Sequence, residues 1–399
     1  MSTPARVVLI GANGHGRTHR ATIAAGQAAG ILTLTGVAEP QPLHPDPPLP
    51  SGVPVFHDHR ELLAATAPEV AVICTPPHTH LAIATDALAA GCDLLLEKPP
   101  VVTLAEHVRL LAAVRRSGRA CQVGFQALGS AALTRLLAAV SRGELGTVTG
   151  LATLASWRRE DAYYERAPWA GRQRVAGRRG LDGALVNPLA HAVMQTFAVA
   201  SAAGAGEPAR LEAERYRVRP IETDDTAFAR VTFRSGLRMT ASVTLAGEDF
   251  LPGEVIVAAT RGRAVLEYPT DRLALPADPR MREVPGRVDL LTNLIAHRRS
   301  PADVPLLAPL ARTAGFTAFA EALTDPDGPR PSMLDGDLVT SAGEPPQRVR
   351  VIRGINALLR RTADTGALPS ELGVAWATRP RSTALRQPAG NARGEAVAN

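Results

Sequence analysis

Lysine is nearly missing from this chain of 399 residues: of its 44 basic side chains only Lys98 is a lysine, and the others are arginines. A background that uses arginine wherever a positive charge suffices leaves the single ammonium in want of another reason. An ammonium is compact and has a pKa that burial can lower, which a guanidinium lacks, so Lys98 is the first candidate for proton chemistry. Cysteine is almost as scarce. Cys74, Cys92 and Cys121 are odd in number, lie in or beside apolar strand-like runs and lack metal-ligand spacing. That argues against a disulfide framework and a zinc site, and it predicts buried, reduced thiols in a cytoplasmic protein. Long hydrophobic runs are missing too, so no bilayer span is expected. The opening MSTPARVVLIGANG has no charged region followed by an apolar stretch and a cleavage site, so no signal peptide is expected. His57 and His59 form an H-x-H pair without a third ligand nearby in sequence, and no metal is expected. The formal charge of +6 raises the question of nucleic acid, but the basic residues are scattered. Their densest stretch, Arg158 to Arg179, is broken by Glu160, Asp161, Glu165 and aromatics, which reads as a solvated surface with a few anion-binding arginines.

What is present is alternation. Apolar runs at Arg6–Ile10, Leu32–Ala38, Val70–Cys74, Asp93–Leu96 and Ala120–Gly124 are separated by helical patterns, including Thr18–Ala29, Leu81–Ala90 and Leu104–Arg116. Thr103 and Glu106 are spaced as a capping box, and Gly91 closes the helix before Asp93. Strands apolar on both faces and joined by helices predict an α/β Rossmann domain over residues 1–126, with a parallel sheet and right-handed crossovers. The Pro-rich stretch Pro40–Pro54 reads as an irregular loop. From residue 127 the pattern changes. Leu237, Met239, Ala241, Val243 and Leu245 alternate with polar residues, and Glu254–Thr260 with Arg263–Tyr268 reads as a hairpin. Helices are expected at Pro188–Ala200, Val288–His297, Pro309–Leu323 and Val349–Thr365. Residues 127–378 are therefore expected to form an α+β domain with an open, mainly antiparallel sheet, and residues 379–399 a disordered tail.

Gly11-Ala12-Asn13-Gly14-His15-Gly16 follows the first strand and opens a helix, where backbone N–H groups and a helix N-terminus can hold a pyrophosphate. The turn departs from G-x-G-x-x-G at Asn13. Asparagine tolerates left-handed dihedrals, and Gly14 then allows the close approach to phosphate. Glu39, ending the second strand, is placed to bind the adenosine ribose. Its carboxylate repels a 2′-phosphate and Pro40-Gln41-Pro42 brings no compensating arginine, which favours NAD over NADP. His15 joins the candidate cofactor set, although for it and for His19 ordinary surface or helix packing is the simpler reading.

Two further segments leave the carboxyl ends of strands: Cys74-Thr75-Pro76-Pro77-His78-Thr79-His80 and Glu97-Lys98-Pro99-Pro100. In a doubly wound sheet both face the crevice. With the G-A-N-G-H-G turn, T-P-P-H-T-H and E-K-P resemble the Gfo/Idh/MocA family, that of glucose–fructose oxidoreductase and inositol dehydrogenase, over about residues 5–378. The resemblance implies that Lys98 contacts the reacting hydroxyl or carbonyl, and that Glu97, Thr75, Pro76 and His80 shape the nicotinamide end. A cis peptide is expected before Pro99. Further on, Asp182-Gly183-Ala184-Leu185-Val186-Asn187-Pro188-Leu189-Ala190-His191 resembles the family's G-G-x-L-x-D-x-x-x-H element, whose acid and histidine face the substrate. His191 matches, Asp182 replaces the first glycine, and Asn187 replaces the acid. Asn187 before Pro188 also reads as a helix N-cap, so cap and substrate contact both stay open.

Arg158, Tyr164, Trp169 and Arg172 gather aromatics and arginines suited either to a sugar-like ligand or to packing between domains, and Gln126 lies just past the last Rossmann strand. The expected reaction moves hydride between a nicotinamide and a carbinol or carbonyl carbon of a sugar or polyol. Lys98 would polarise the oxygen and His191 exchange its proton. Neutral Asn187 removes a charge that would raise the His191 pKa, shifting proton work to Lys98. An NAD-dependent glycoside-cleaving enzyme and a non-catalytic nucleotide-binding regulator are the rival readings. The resemblance also implies a homo-oligomer through the second-domain sheet. The run Leu237–Leu245 fits that, and equally a face covered by the chain's own helices.

Overall fold

Short parallel strands and the helices between them build the first domain of the computed structural model, which describes residues 3–175, 177–328 and 330–386. Along the chain come β1 Ala5–Ile10, α1 Gly16–Ala28, β2 Leu32–Ala38, β3 Val55–Phe56, α2 His59–Thr66 and β4 Val70–Ile73. Then follow α3 His80–Ala89, β5 Asp93–Leu96, α4 Leu104–Ser117 and β6 Cys121–Val123. The strand order β3-β2-β1-β4-β5-β6 reverses between β1 and β4, which opens a crevice at their carboxyl ends. Every residue of β4 and β5 is buried, as a sheet covered by helices on both faces requires. The predicted capping box forms at the start of α4, with Thr103 and Glu106 each bonding the other's backbone.

The second domain adds α5 Ala131–Ser141, β7 Val148–Arg158, β8 Arg174–Val175, β9 Arg178–Arg179, α6 Ala190–Ala202, β10 Pro208–Arg217 and β11 Thr226–Phe233. Next are β12 Arg238–Thr244, β13 Ala246–Ala259, β14 Gly262–Glu267, β15 Arg272–Leu275 and β16 Asp278–Glu283. The chain ends with α7 Leu290–Arg299, α8 Ala314–Leu323, β17 Ser332–Met333, β18 Val339–Ala342, β19 Val349–Ile352, α9 Ile355–Thr365 and β20 Arg381–Ala384. The large sheet runs β16-β15-β14-β13-β7-β12-β11-β10-β17, with β20 also on β10. Its neighbours are antiparallel except β7 with β12 and β10 with β17.

Strand periodicity sorts this sheet into two faces. Thr153 pairs in register with Ala241 and Val255, and its hydroxyl bonds the Ala192 carbonyl of α6 at 3.4 Å. One residue along, Leu154 pairs with Ser242, whose hydroxyl accepts from Thr362 of α9 at 2.7 Å. On this second face the chain's own α9 meets the sheet. Ile355, Leu358 and Leu359 of α9 pack there with Phe228, Tyr216 and Ile352 in one buried cluster. Of the run Leu237–Leu245, Ala241 lies on the α6 face and its polar neighbour Ser242 on the α9 face, so helices of the same chain meet both sides.

Other expectations shift as well. The helix expected over Val349–Thr365 is strand β19 followed by α9, with Gly354 at φ 74° between them. Residues Arg381–Ala384 pair with Arg210–Ala213, so the expected tail contributes an edge strand before residues 387–399, which lie outside the described residues. The segment carrying α7 and α8 returns to the first domain. Gln122 on β6 donates to the Leu290 carbonyl at 2.7 Å, and Arg298 pairs with Asp93 at 2.6 Å. Glu321 on α8 accepts the Leu104 N–H at the start of α4 at 2.9 Å. Sequence adjacency could not reveal these returns.

If α9 holds the outer face, deleting its fully buried Leu359 side chain costs core packing. Leu359→Ala is expected to destabilise the protein by about 2–4 kcal/mol, read from urea unfolding.

Candidate active site

Close backbone approach builds the nucleotide end. A Cβ on Gly11, which has φ 85°, would lie 2.4 Å from the Cys74 carbonyl oxygen, and one on Gly16 would lie 2.1 Å from that of Gly11. Neither position admits a side chain, so the turn fits tightly between β4 and the first turn of α1. Gly14 takes the left-handed conformation at φ 53°, with open space where its Cβ would be. Asn13 does not share that role. Among the described residues only Ala67 and Asp271 are non-glycine residues with positive φ. Its side chain instead donates to the Pro42 carbonyl at 3.1 Å and accepts from the His44 N–H at 2.9 Å, fastening the Pro-rich loop to the turn. Arg17 pairs with Asp46 at 2.9 Å, and Arg20 donates to the His44 and Pro47 carbonyls, which holds the same loop against α1.

Glu39 braces the turn. One carboxylate oxygen accepts the Ala12 and Asn13 N–H groups at 3.0 and 3.1 Å, and the other accepts that of Gln41 at 3.2 Å. A carboxylate has lone pairs for further donors, so a ribose hydroxyl would be an additional partner. The glycine cradle, the helix N-terminus and this buried acid fit a dinucleotide.

At the crevice, His80 is fully buried and joins two loops. Its Nε2 lies 2.8 Å from the Thr75 carbonyl oxygen and its Nδ1 3.0 Å from that of Pro99. Burial lowers its pKa, so the neutral ring has one N–H to give to these carbonyls. The Thr75 hydroxyl bonds that of Thr79 at 2.7 Å, while the Pro76 carbonyl accepts from Thr79. The Lys98–Pro99 peptide is cis, as expected.

Glu97 is the hub. It is buried, and its Oε1 lies 2.9 Å from His19 Nε2, 2.9 Å from Gln126 Nε2 and 3.6 Å from His15 Nε2, while Oε2 accepts the Lys98 N–H at 3.0 Å. Burial alone would raise its pKa, but the His15 and His19 imidazoles outweigh burial and hold the carboxyl well below its usual range. The three groups lie within 4.8 Å of one another, near enough for a metal ion, yet both carboxylate oxygens already have N–H donors. His19 is therefore a buried partner of Glu97 and not an ordinary packing residue, and Gln126 reaches the site through the same carboxylate.

Lys98 is half-buried and crosses to the second domain. Its Nζ donates to the Asn187 side-chain oxygen at 3.0 Å and to the Asn187 carbonyl at 3.1 Å. Burial lowers its pKa; Glu97 and Asp182 oppose that, and Arg166 adds to it. Asn187 does not cap a helix. The helix starts at Ala190 with no side-chain cap, and the Asn187 amide donates to Asp182 Oδ1 at 2.9 Å.

His191, on the first turn of α6, packs edge-on to Phe125 with ring centroids 6.0 Å apart. Burial, reinforced by the Lys98 charge, pushes its pKa down to about 3, and its Nδ1 is buried without a partner among the described residues. With so low a pKa the His191 ring is neutral at neutral pH.

The aromatic segment divides. Tyr164 has a buried hydroxyl without a hydrogen-bond partner among the described residues, and Trp169 stacks under Arg166 at 4.7 Å. Arg166 lies 3.9 Å from Asp182, which ties that segment to the lysine's surroundings. Arg158 instead donates to the Gly247 and Glu248 carbonyls of β13, and Arg172 pairs with Glu222 at 2.9 Å. Their donors are committed to fold contacts, and the structure does not gather them with Lys98. Sequence reasoning gave no role to Asp182 and Arg166. The signal for Asp182 was an acid standing where a glycine is usual.

Comparison with known proteins agrees with the first domain. Residues 5–125 match the profile of the oxidoreductase family with an NAD-binding Rossmann fold, Gfo/Idh/MocA. Inositol 2-dehydrogenase 1 of Saccharopolyspora erythraea is 32% identical over 94 residues, 23% of this chain and 28% of the relative. D-glucoside 3-dehydrogenase of Escherichia coli is 29% identical over 94 residues, 24% of this chain and 27% of the relative. The chain thus aligns with little more than a quarter of the length of these curated relatives. The solved WlbA dehydrogenase from Bordetella pertussis, in complex with NADH and UDP-GlcNAcA, superposes with a TM-score of 0.65 at 21% identity, covering 83% of this chain and 100% of that one. An inositol dehydrogenase homolog from Azotobacter vinelandii, complexed with NAD+, gives 0.64 at 18% identity, covering 83% and 98%. At such identities these structures establish a shared two-domain fold.

The depressed histidine has a consequence for stability. Below the ordinary histidine pKa near 6.5 the unfolded chain takes up protons that folded His191 refuses until about pH 3, so stability falls as pH drops through that window. His107, lowered to about 4 by burial, adds to the same slope. His191→Gln is expected to flatten the loss of unfolding free energy between pH 6.5 and 4.5, measured by urea titration at each pH.

Proposed function

From a first domain that belongs to the Gfo/Idh/MocA oxidoreductase family, we propose that this protein transfers hydride between NAD and a carbinol or carbonyl carbon of a sugar or polyol-like substrate. The observation that carries the reading is the double hold of Asn187 on the Lys98 ammonium at the crevice of the NAD-binding domain. An ammonium has three N–H donors, and two of them are engaged. The third is the one available for a substrate oxygen. After Lys98 loses its proton, the two remaining N–H bonds can stay on Asn187 and the lone pair takes the third direction. The lysine is then a base aimed where it was an acid.

In the oxidative direction neutral Lys98 would take the substrate hydroxyl proton as hydride leaves the carbon that bears it. Reduction reverses both transfers. The Gly11–Gly16 turn and Glu39 would hold NAD, which would supply the hydride acceptor. A carboxylate there disfavours the 2′-phosphate of NADP. His191, neutral and with Nδ1 lacking a protein partner, orients a second substrate group. Tyr164 offers a buried hydroxyl for the same purpose. The structural neighbours crystallised with UDP-GlcNAcA and with myo-inositol support a substrate rich in hydroxyls.

A panel of polyols, sugars, uronates and glycosides, followed by NADH absorbance, tests this reading. NADH production from a hydroxylated substrate supports it. Glycoside cleavage without net NADH points to transient oxidation with the cofactor restored, and NAD binding without any turnover points to a regulator. With a substrate found, Lys98→Arg is expected to lower hydride transfer by about 100-fold or more while leaving NAD affinity nearly unchanged, because guanidinium stays charged.

A further inference from the structure

The acid of this site stands one amide behind the lysine. We propose that Asp182 is a positioning residue that fixes the Asn187 side chain with its oxygen toward Lys98 and lends its negative charge to the ammonium through that amide. The inference takes its catalytic meaning from the proposed role of Lys98.

An asparagine beside a cation has a donor end and an acceptor end, and only the acceptor suits an ammonium. Left to itself the amide could turn either way. An ionised carboxylate is acceptor-only, so Asp182 can satisfy only the Nδ2 end of Asn187, which it meets at 2.9 Å. The oxygen is thereby turned to Lys98 at 3.0 Å. Asp182 is 3% exposed and is itself held. Its second oxygen accepts the Gly171 N–H at 2.7 Å, and the Arg166 guanidinium lies 3.9 Å away.

The charged and titratable groups around Lys98 come from every side. Glu97 and Cys74 belong to the ends of β5 and β4, Asp182 and Arg166 to the segment between β7 and α6, and His191 to α6. Glu97 and Asp182 favour the protonated lysine, whereas burial and Arg166 oppose it. Glu97 is already shared among His15, His19 and Gln126. Asp182 is the carboxylate that reaches the amine through the very group the amine is bound to, so it sets both the direction of the lysine's N–H bonds and the ease of losing one.

The single lysine makes this directly measurable, because protein grown with ζ-15N-lysine carries one such ε-amine. Its NMR titration midpoint reports Lys98 without any substrate. Asp182→Asn is expected to lower that midpoint by about one pH unit, as loss of a nearby opposite charge does. Asn187→Asp is expected to raise it, and adding Asp182→Gly to that variant to bring it down again. This second pair reads the contribution of Asp182 if Asp182→Asn does not fold, which thermal melting would reveal. Where turnover is found, the acid limb of kcat/KM should move with the same sign as the NMR midpoint. A role confined to holding the loop would move neither. An unchanged Lys98 midpoint on removing Asp182 in either background overturns the proposal and leaves the hydride-transfer reading standing. Absence of NAD turnover with the midpoint shifted as stated overturns that reading and leaves this one.

Discussion

The contact between Lys98 and Asn187 joins residues 89 positions apart and belonging to different domains. Much of the surrounding architecture sets its geometry. The lysine leaves the carboxyl end of β5 with its backbone N–H held by Glu97, and Glu97 is anchored in turn by His19 of α1 and Gln126 beyond β6. The asparagine sits in a turn just before α6, whose far side bears on the large sheet through Thr196 and Thr153.

Two electrostatic effects divide the labour. Burial penalises charge near the crevice, and the polar groups there are each given partners: Glu97 its histidines, Lys98 the two oxygens of Asn187, Asp182 its N–H donors. His191 has no such partner at Nδ1 and is held neutral. In this low-dielectric crevice the lysine carries a proton whose hold burial weakens and Glu97 and Asp182 strengthen. In this setting an asparagine next to the amine is more than a lost acid, because the carboxylate has moved one amide back.

The first domain was legible because its signals are local. A strand, a glycine turn and a helix in one unbroken stretch from Ala5 to Ala28 specify a dinucleotide cradle, and the capping box of α4 closes as its spacing implies. The same logic misjudged Asn13, read as a left-handed stand-in for glycine, because its side chain instead serves a loop some thirty residues away. Asn187 before Pro188 carries a strong local cap signal, and tertiary partners overrode it. Arg158 and Arg172 looked like ligand binders on composition, yet their donors serve strand ends and turns. The cover of the outer sheet face by α9 was hidden for a related reason: an alternating strand shows that both faces have a fate without saying which neighbour supplies it.

The most direct test of the account is a crystal structure with NAD and a hydroxylated substrate. It predicts Lys98 Nζ in hydrogen-bond contact with the substrate oxygen, with that oxygen's carbon facing nicotinamide C4 and the two contacts to Asn187 retained. A substrate oxygen held by another group, with Lys98 turned away from it, would contradict the central claim.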